Sequence, residues 1–149
     1  MINRITAFFS NHIALASGDK AQPLQLATAA LLLEVSRADF TIDDAERDLC
    51  TTLLKKQFQL PAAQLDTLIK LAQQQTEQAI SLYPFTRLID THYSAQQKSL
   101  LIFNLWQVAL SDGSLDKYED HLIRKVADLI HVSHSEFIRT KLAAIDANA

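Results

Sequence analysis

Residues 26–35 read LATAALLLEV, a run that is apolar on nearly every side of a helix. A helix of this kind has to be buried over most of its surface. A second such run, SLLIFNLWQVAL, occupies residues 99–110. The two runs predict a core that contains two central helices side by side, with the other segments packed around them.

The composition is typical of one compact helical domain. The chain has 149 residues, of which 48% are apolar and 21% charged, with only two Gly and three Pro. This length supports a single core, and no segment alternates as a strand would. We therefore expect one all-α domain over residues 1–149, with an N-terminal helix and linker in 1–20, one repeat in 23–80 and a second in 94–146.

Several classes of protein are disfavoured by the same numbers. A formal charge of −3 provides no general attraction for nucleic acid. Cys50 is the only cysteine, which excludes an intrachain disulfide and a thiolate-rich zinc site, and its apolar neighbours favour a buried structural thiol. No apolar run approaches the roughly 18 residues of a spanning helix. The N-terminus also reads poorly as a signal peptide, so we expect a cytoplasmic protein.

Local signals place the remaining helices. Pro23 and Pro61 suit the first turns of helices that run to about Arg37 and through Ala72. Further helices are expected from about 43 to 58, from 94 to 110, from about 116, and after 133. The boxes Ser94-x-x-Gln97 and Ser133-x-x-Glu136 are typical of helix starts. Gln73-Gln74-Gln75 is expected to be an exposed helical turn, and Pro84 to interrupt the segment that ends near His92.

The chain repeats itself at an offset of 73 residues. Apolar positions coincide, for example Leu32 with Leu105 and Leu49 with Leu122. Acidic positions coincide as well: Asp39 with Asp112, Asp43 with Asp116, and Glu46 with Glu119. The sequence therefore predicts two three-helix units related by duplication.

Half of the repeated acidic pattern, Asp-x-x-x-Asp-x-x-Glu, has a purely structural explanation. An Asp at the N-cap with a Glu three residues later starts a helix and stabilises it by roughly 1 kcal/mol. Asp43 with Glu46, and Asp116 with Glu119, fit this role without any ion.

Asp39 and Asp112 need a second explanation. Both are expected at the end of the preceding helix, where the helix dipole disfavours an anion. Residues 39–48 carry a net charge of −4 and residues 112–120 a net charge of −3. A divalent cation would relieve the repulsion if both segments met, and carboxylate oxygens suit Ca²⁺ or Mg²⁺. Neither segment is an EF-hand, because Cys50 occupies the twelfth position of the first.

Three stretches resemble the TerB-like tellurite-resistance proteins, most closely a short bacterial branch of that superfamily. They are ALLLEVSRADFTIDDAER (30–47), SLYPFTRLID (81–90) and WQVALSDGSLDKYEDHLIRKVADLIHVSHSEF (106–137), and the resemblance extends over about residues 23–142. It implies an all-helical fold with two central helices and a pseudo-twofold pair of three-helix repeats.

The same resemblance implies a divalent-metal site formed by the paired acidic loops. Its ligands would be Asp39, Asp43, Glu46, Asp112, Asp116 and Glu119. One departure concerns the first loop, which has Phe40 where the second has Gly113. The first turn is therefore expected to be less tight than the second.

The function predicted from these features is a non-enzymatic module that binds a divalent cation, Ca²⁺ or Mg²⁺, and serves in interaction or sensing during bacterial stress response. The alternative is an ion-free helical adaptor that binds a protein partner through its acidic and aromatic surface. Catalysis by a metal held on clustered carboxylates is disfavoured, because no substrate-positioning arginines accompany the acids.

Two apolar segments leave the partner open. Tyr83 and Phe85 either form a docking patch or fill the join between the repeats, which is the favoured interpretation. The face formed by Ile2, Ile5, Phe8 and Phe9 is expected to pack on the bundle or on a second copy in a homodimer rather than on a membrane.

Overall fold

The computed structural model describes residues 21–36, 44–79, 81–111 and 117–147, and these ranges contain helices and short connections without a strand. The all-α prediction is therefore confirmed. The seven helices of the described ranges are α1 (Ala21–Ser36), α2 (Asp44–Phe58), α3 (Ala62–Gln78), α4 (Tyr83–His92), α5 (Ala95–Ala109), α6 (Lys117–Leu129) and α7 (His134–Ala147).

Helices α1 and α5 form the central pair that the two apolar runs predict. Leu31 and Leu32 on α1, and Leu105 and Trp106 on α5, are almost completely buried. The helices α2 and α3 pack against α1, while α6 and α7 pack against α5. The fold is thus two equivalent three-helix units, α1–α2–α3 and α5–α6–α7, related by a pseudo-twofold, with α4 as the connection.

The predicted capping box at Ser94 is confirmed in both directions. Ser94 Oγ accepts a hydrogen bond from the Gln97 backbone N–H at 3.1 Å, and Gln97 Oε1 accepts one from the Ser94 N–H at 2.8 Å. The box before α7 is only half formed. Ser133 Oγ accepts from the Glu136 N–H at 3.2 Å, but the Glu136 carboxylate binds Arg139 and Ser99 instead.

Three expectations for single residues are corrected. Pro84 lies in the first turn of α4 and does not interrupt it, because the fixed φ of proline suits that position. Gln75 is 2% exposed, since it shares the inner face of α3 with Leu68 and Ala72. Tyr83 is 56% exposed, so of the two aromatic residues beside Pro84 only Phe85 fills the core.

Hydrogen bonds at Tyr93 show the relative directions of α1, α2 and α5. The Tyr93 hydroxyl lies 2.6 Å from Thr28 Oγ1 and accepts a hydrogen bond from Gln57 Nε2 at 3.4 Å. Tyr93 directly precedes α5, so the start of α5 lies beside the last turn of α2. Ser36 Oγ lies 3.2 Å from Cys50 Sγ, which joins the end of α1 to the first half of α2.

Helix α2 is therefore antiparallel to both central helices, and α1 and α5 run in the same direction. A groove formed by residues 53–57 of α2 and residues 100–107 of α5 agrees with this arrangement. The end of α1, the start of α2 and the end of α5 consequently lie at one end of the molecule. The helix ends on either side of both acidic segments share that end.

Candidate metal centre

Two of the six predicted ligands lie within the described residues, at equivalent places in the two units. Glu46 lies in the first turn of α2, and Glu119 lies in the first turn of α6. Carboxylates at this position are favoured by the helix dipole. Glu46 is half-buried, whereas Glu119 is only 9% exposed, which is unusual for an acidic side chain.

The other four predicted ligands, Asp39, Asp43, Asp112 and Asp116, lie outside the described residues. The geometry of the candidate centre therefore rests on Glu46 and Glu119. Within the described ranges, no group of three or more His, Cys, Asp or Glu side chains is placed to hold a metal ion.

The chemistry of the donor set fits a hard cation. All six predicted ligands are carboxylates, which bind Ca²⁺ and Mg²⁺ through oxygen. Glu46 and Glu119 occupy the starts of α2 and α6, which follow the two acidic segments in the chain. The residues present thus fit such an ion, with Glu46 and Glu119 as its contribution from the described helices.

Cys50 lies one turn after Glu46 and is a buried structural thiol, as predicted. Burial raises its pKa from 9.0 to about 11, opposed by the hydrogen bond with Ser36 and reinforced by the negative charge of Glu46. The thiol is therefore protonated at neutral pH. It does not provide a soft thiolate ligand at this end of the molecule.

A polar cluster at the opposite end of the molecule was not predicted from the sequence. Asp90 Oδ1 accepts a hydrogen bond from Lys98 Nζ at 2.8 Å and lies 3.0 Å from His131 Nδ1. These contacts, with Lys98 first, lower the pKa of Asp90. The three residues come from the end of α4, the first turn of α5 and the turn after α6. No short sequence pattern connects them.

A second part of this polar cluster joins α5 to α7. Glu136 accepts hydrogen bonds from Arg139 Nε at 2.7 Å and from Ser99 Oγ at 2.7 Å. The charge and hydrogen bonds of Arg139, with a smaller effect of Ser99, lower the pKa of Glu136 to about 2. Lys98, His131, Glu136 and Arg139 line one groove. Its acids and bases are paired with one another, so it favours neither an anion nor a cation.

The fold and the acidic residues together define a class of all-helical proteins built from two equivalent three-helix units, each with an acidic segment between its first two helices. A family model described as tellurite resistance protein TerB matches residues 25–142. The match covers well over half of the chain, and the chain belongs to the TerB family. No curated protein and no solved structure matches it.

Membership of this family suggests a function related to tellurite resistance. Among the described helices, none combines the length and the apolar character needed to cross a membrane.

Proposed function

We propose that this protein is a non-enzymatic module of a tellurite-related bacterial stress response that binds a divalent cation between its two acidic segments. The observation that carries the proposal is directional. Helices α1 and α5 run the same way, so the helix ends that flank residues 37–43 and 112–116 lie at one end of the molecule.

Electrostatics supports a cation at this end. The segments 39–48 and 112–120 carry net charges of −4 and −3 in a chain whose total is −3. Bringing them together without a counter-ion costs free energy through like-charge repulsion. Glu119 places one of these charges in a buried position, where water and salt screen the repulsion less than at the surface.

The proposed ion is Ca²⁺ or Mg²⁺, and its role is structural. Asp39, Asp43 and Glu46 would bind it from the first unit, and Asp112, Asp116 and Glu119 from the second. An ion shared in this way holds the two units in one relative position. A protein partner would then recognise the surface that forms when the ion is bound, which makes the module responsive to the cation.

Thermal unfolding after chelation tests the proposal, with Ca²⁺, Mg²⁺, Mn²⁺ and Zn²⁺ added back separately. An ion at about 100 times its Kd should stabilise the fold by about 2.7 kcal/mol, which raises the Tm by several degrees for a domain of this size. Asp112→Asn and Asp39→Asn should abolish the rise while the metal-free protein still folds. Asp66→Asn is the matched control, because Asp66 is exposed on α3 and pairs with Lys70 four residues later.

The capping interpretation makes a different prediction for the same measurement. If the acids only start helices, Asp43→Ala and Asp116→Ala should each lower stability by about 1 kcal/mol, and no ion should change the Tm of any variant. That result would contradict the cation proposal and favour the ion-free adaptor.

A further inference from the structure

An apolar groove lies open between α2 and α5. It has a volume of about 340 Å³, and its apolar lining comes from Leu53 on α2 and from Leu100 and Phe103 on α5. Leu100 is 41% exposed and Phe103 is half-buried. Exposed leucine and phenylalanine side chains along one groove form a surface that gains stability when it is covered.

The pseudo-twofold shows what covers the equivalent groove. It relates α5 to α1 and α2 to α6, and the groove between α1 and α6 is occupied by α4, which packs against both helices. At the offset of 73 residues, Leu100 aligns with Ala27 and Phe103 with Ala30. These alanines are 1% and 0% exposed. The same positions are therefore covered in one unit and open in the other.

Helix α4 directly precedes α5 in the chain, and residues 1–20 directly precede α1. The inner side of α4 follows the spacing i, i+3, i+4, i+7, which begins at Leu82 and includes Phe85 and Ile89. The same spacing recurs in residues 1–20, where it begins at Ile5 and selects Phe8, Phe9 and His12. The occupant of the open groove thus has a counterpart in both position and pattern.

We propose that residues 1–20 of this chain dock in the groove between α2 and α5, as α4 does in the equivalent groove. The connection is short enough, because the segment joins α1 at Ala21, and the first half of α1 is tied through Thr28 and Tyr93 to Gln57 at the edge of the groove. A helix as long as α4, ten residues, spans about 15 Å. This leaves about half of the segment for the connection.

Thiol labelling of the full-length chain tests this docking. Leu100→Cys places a reporter in the groove, and Leu142→Cys places a control on α7, where Leu142 is 56% exposed. Cys50 is buried with a pKa of about 11, so it stays silent at pH 8. A docked segment should make the Leu100→Cys variant react about tenfold or more slowly than the Leu142→Cys variant.

The double substitution Phe8→Asp/Phe9→Asp should release this protection. It should raise the labelling rate of the Leu100→Cys variant to that of the control and leave the Leu142→Cys rate unchanged. Should the double substitution disturb folding, as judged by circular dichroism, Phe8→Ala alone should still raise the Leu100→Cys rate severalfold.

Two results would overturn the proposal. Equal rates for the two reporter variants, unchanged by the substitutions at Phe8 and Phe9, would show that the groove is open. Protection that disappears on dilution, together with a dimer mass, would assign the groove to a second copy of the chain.

Discussion

At the scale of single residues, Tyr93 makes the most connections between elements. It is 7% exposed, and its hydroxyl contacts Thr28 on α1 and Gln57 on α2 immediately before α5 begins. Burial raises the pKa of the phenol, and the two hydrogen bonds oppose that rise. Tyr93 therefore holds one end of both central helices and the end of α2 together.

Replacing this hydroxyl should destabilise the protein. Tyr93→Phe keeps the ring but leaves the buried Thr28 hydroxyl without this partner, which costs about 1–3 kcal/mol. Urea unfolding at neutral pH measures the change. Tyr83→Phe is the control, because Tyr83 is exposed and should tolerate the loss. Equal stability of the two variants would contradict this role of Tyr93.

At the scale of elements, α5 depends on a well-formed start. Its capping box satisfies the Gln97 N–H and the Ser94 N–H in the same turn. The helix then packs against α7, where the Trp106 and Phe137 ring centroids are 5.2 Å apart. Because α5 also packs against α1, fraying at its first turn would loosen both units.

Removing the cap should therefore have a measurable effect on the whole domain. Ser94→Ala should lower the free energy of unfolding by about 1 kcal/mol, because the Gln97 N–H loses its acceptor. Gln96→Ala in the same turn is the control, since Gln96 is exposed. A cost no greater than that of the control, measured by thermal unfolding, would show that the cap is not important for stability.

At the scale of the whole molecule, the two ends differ in charge. The helix ends that flank the acidic segments lie at one end, and the ion-paired groove between α5 and α7 lies at the other. Glu136 at the paired end has a pKa lowered from 4.5 to about 2 by Arg139 and Ser99. The paired end should therefore respond to acid through Glu136.

The sign of this response follows from the lowered pKa. A carboxylate whose pKa is lower in the folded state contributes stability above its unfolded pKa, and this stability is lost as the pH falls through the folded value. The wild-type protein should thus be more stable than Glu136→Gln at pH 6, and the difference should shrink between about pH 4.5 and pH 2. Thermal unfolding across this range measures it, with Glu77→Gln at the exposed end of α3 as the control. A difference that stays constant with pH would contradict this linkage.

The sequence by itself determined the features that depend on local pattern. Periodicity and composition predict the helices and the buried central pair, and the apolar neighbours of Cys50 predict its burial. The Ser94 box is read from two residues three apart. Two of the six proposed ligands, Glu46 and Glu119, lie at the helix starts that the pattern predicts, while a shared ion stays a prediction.

Only the tertiary structure decided which side of each surrounding helix faces inward and which distant polar groups meet. Gln75 is buried and Tyr83 is exposed because α3 and α4 each pack one side against α1, a choice that polarity alone does not reveal. Asp90 and His131 contact each other across 41 residues of chain. Such a pair forms only when helix packing brings separate segments together, so no local pattern encodes it.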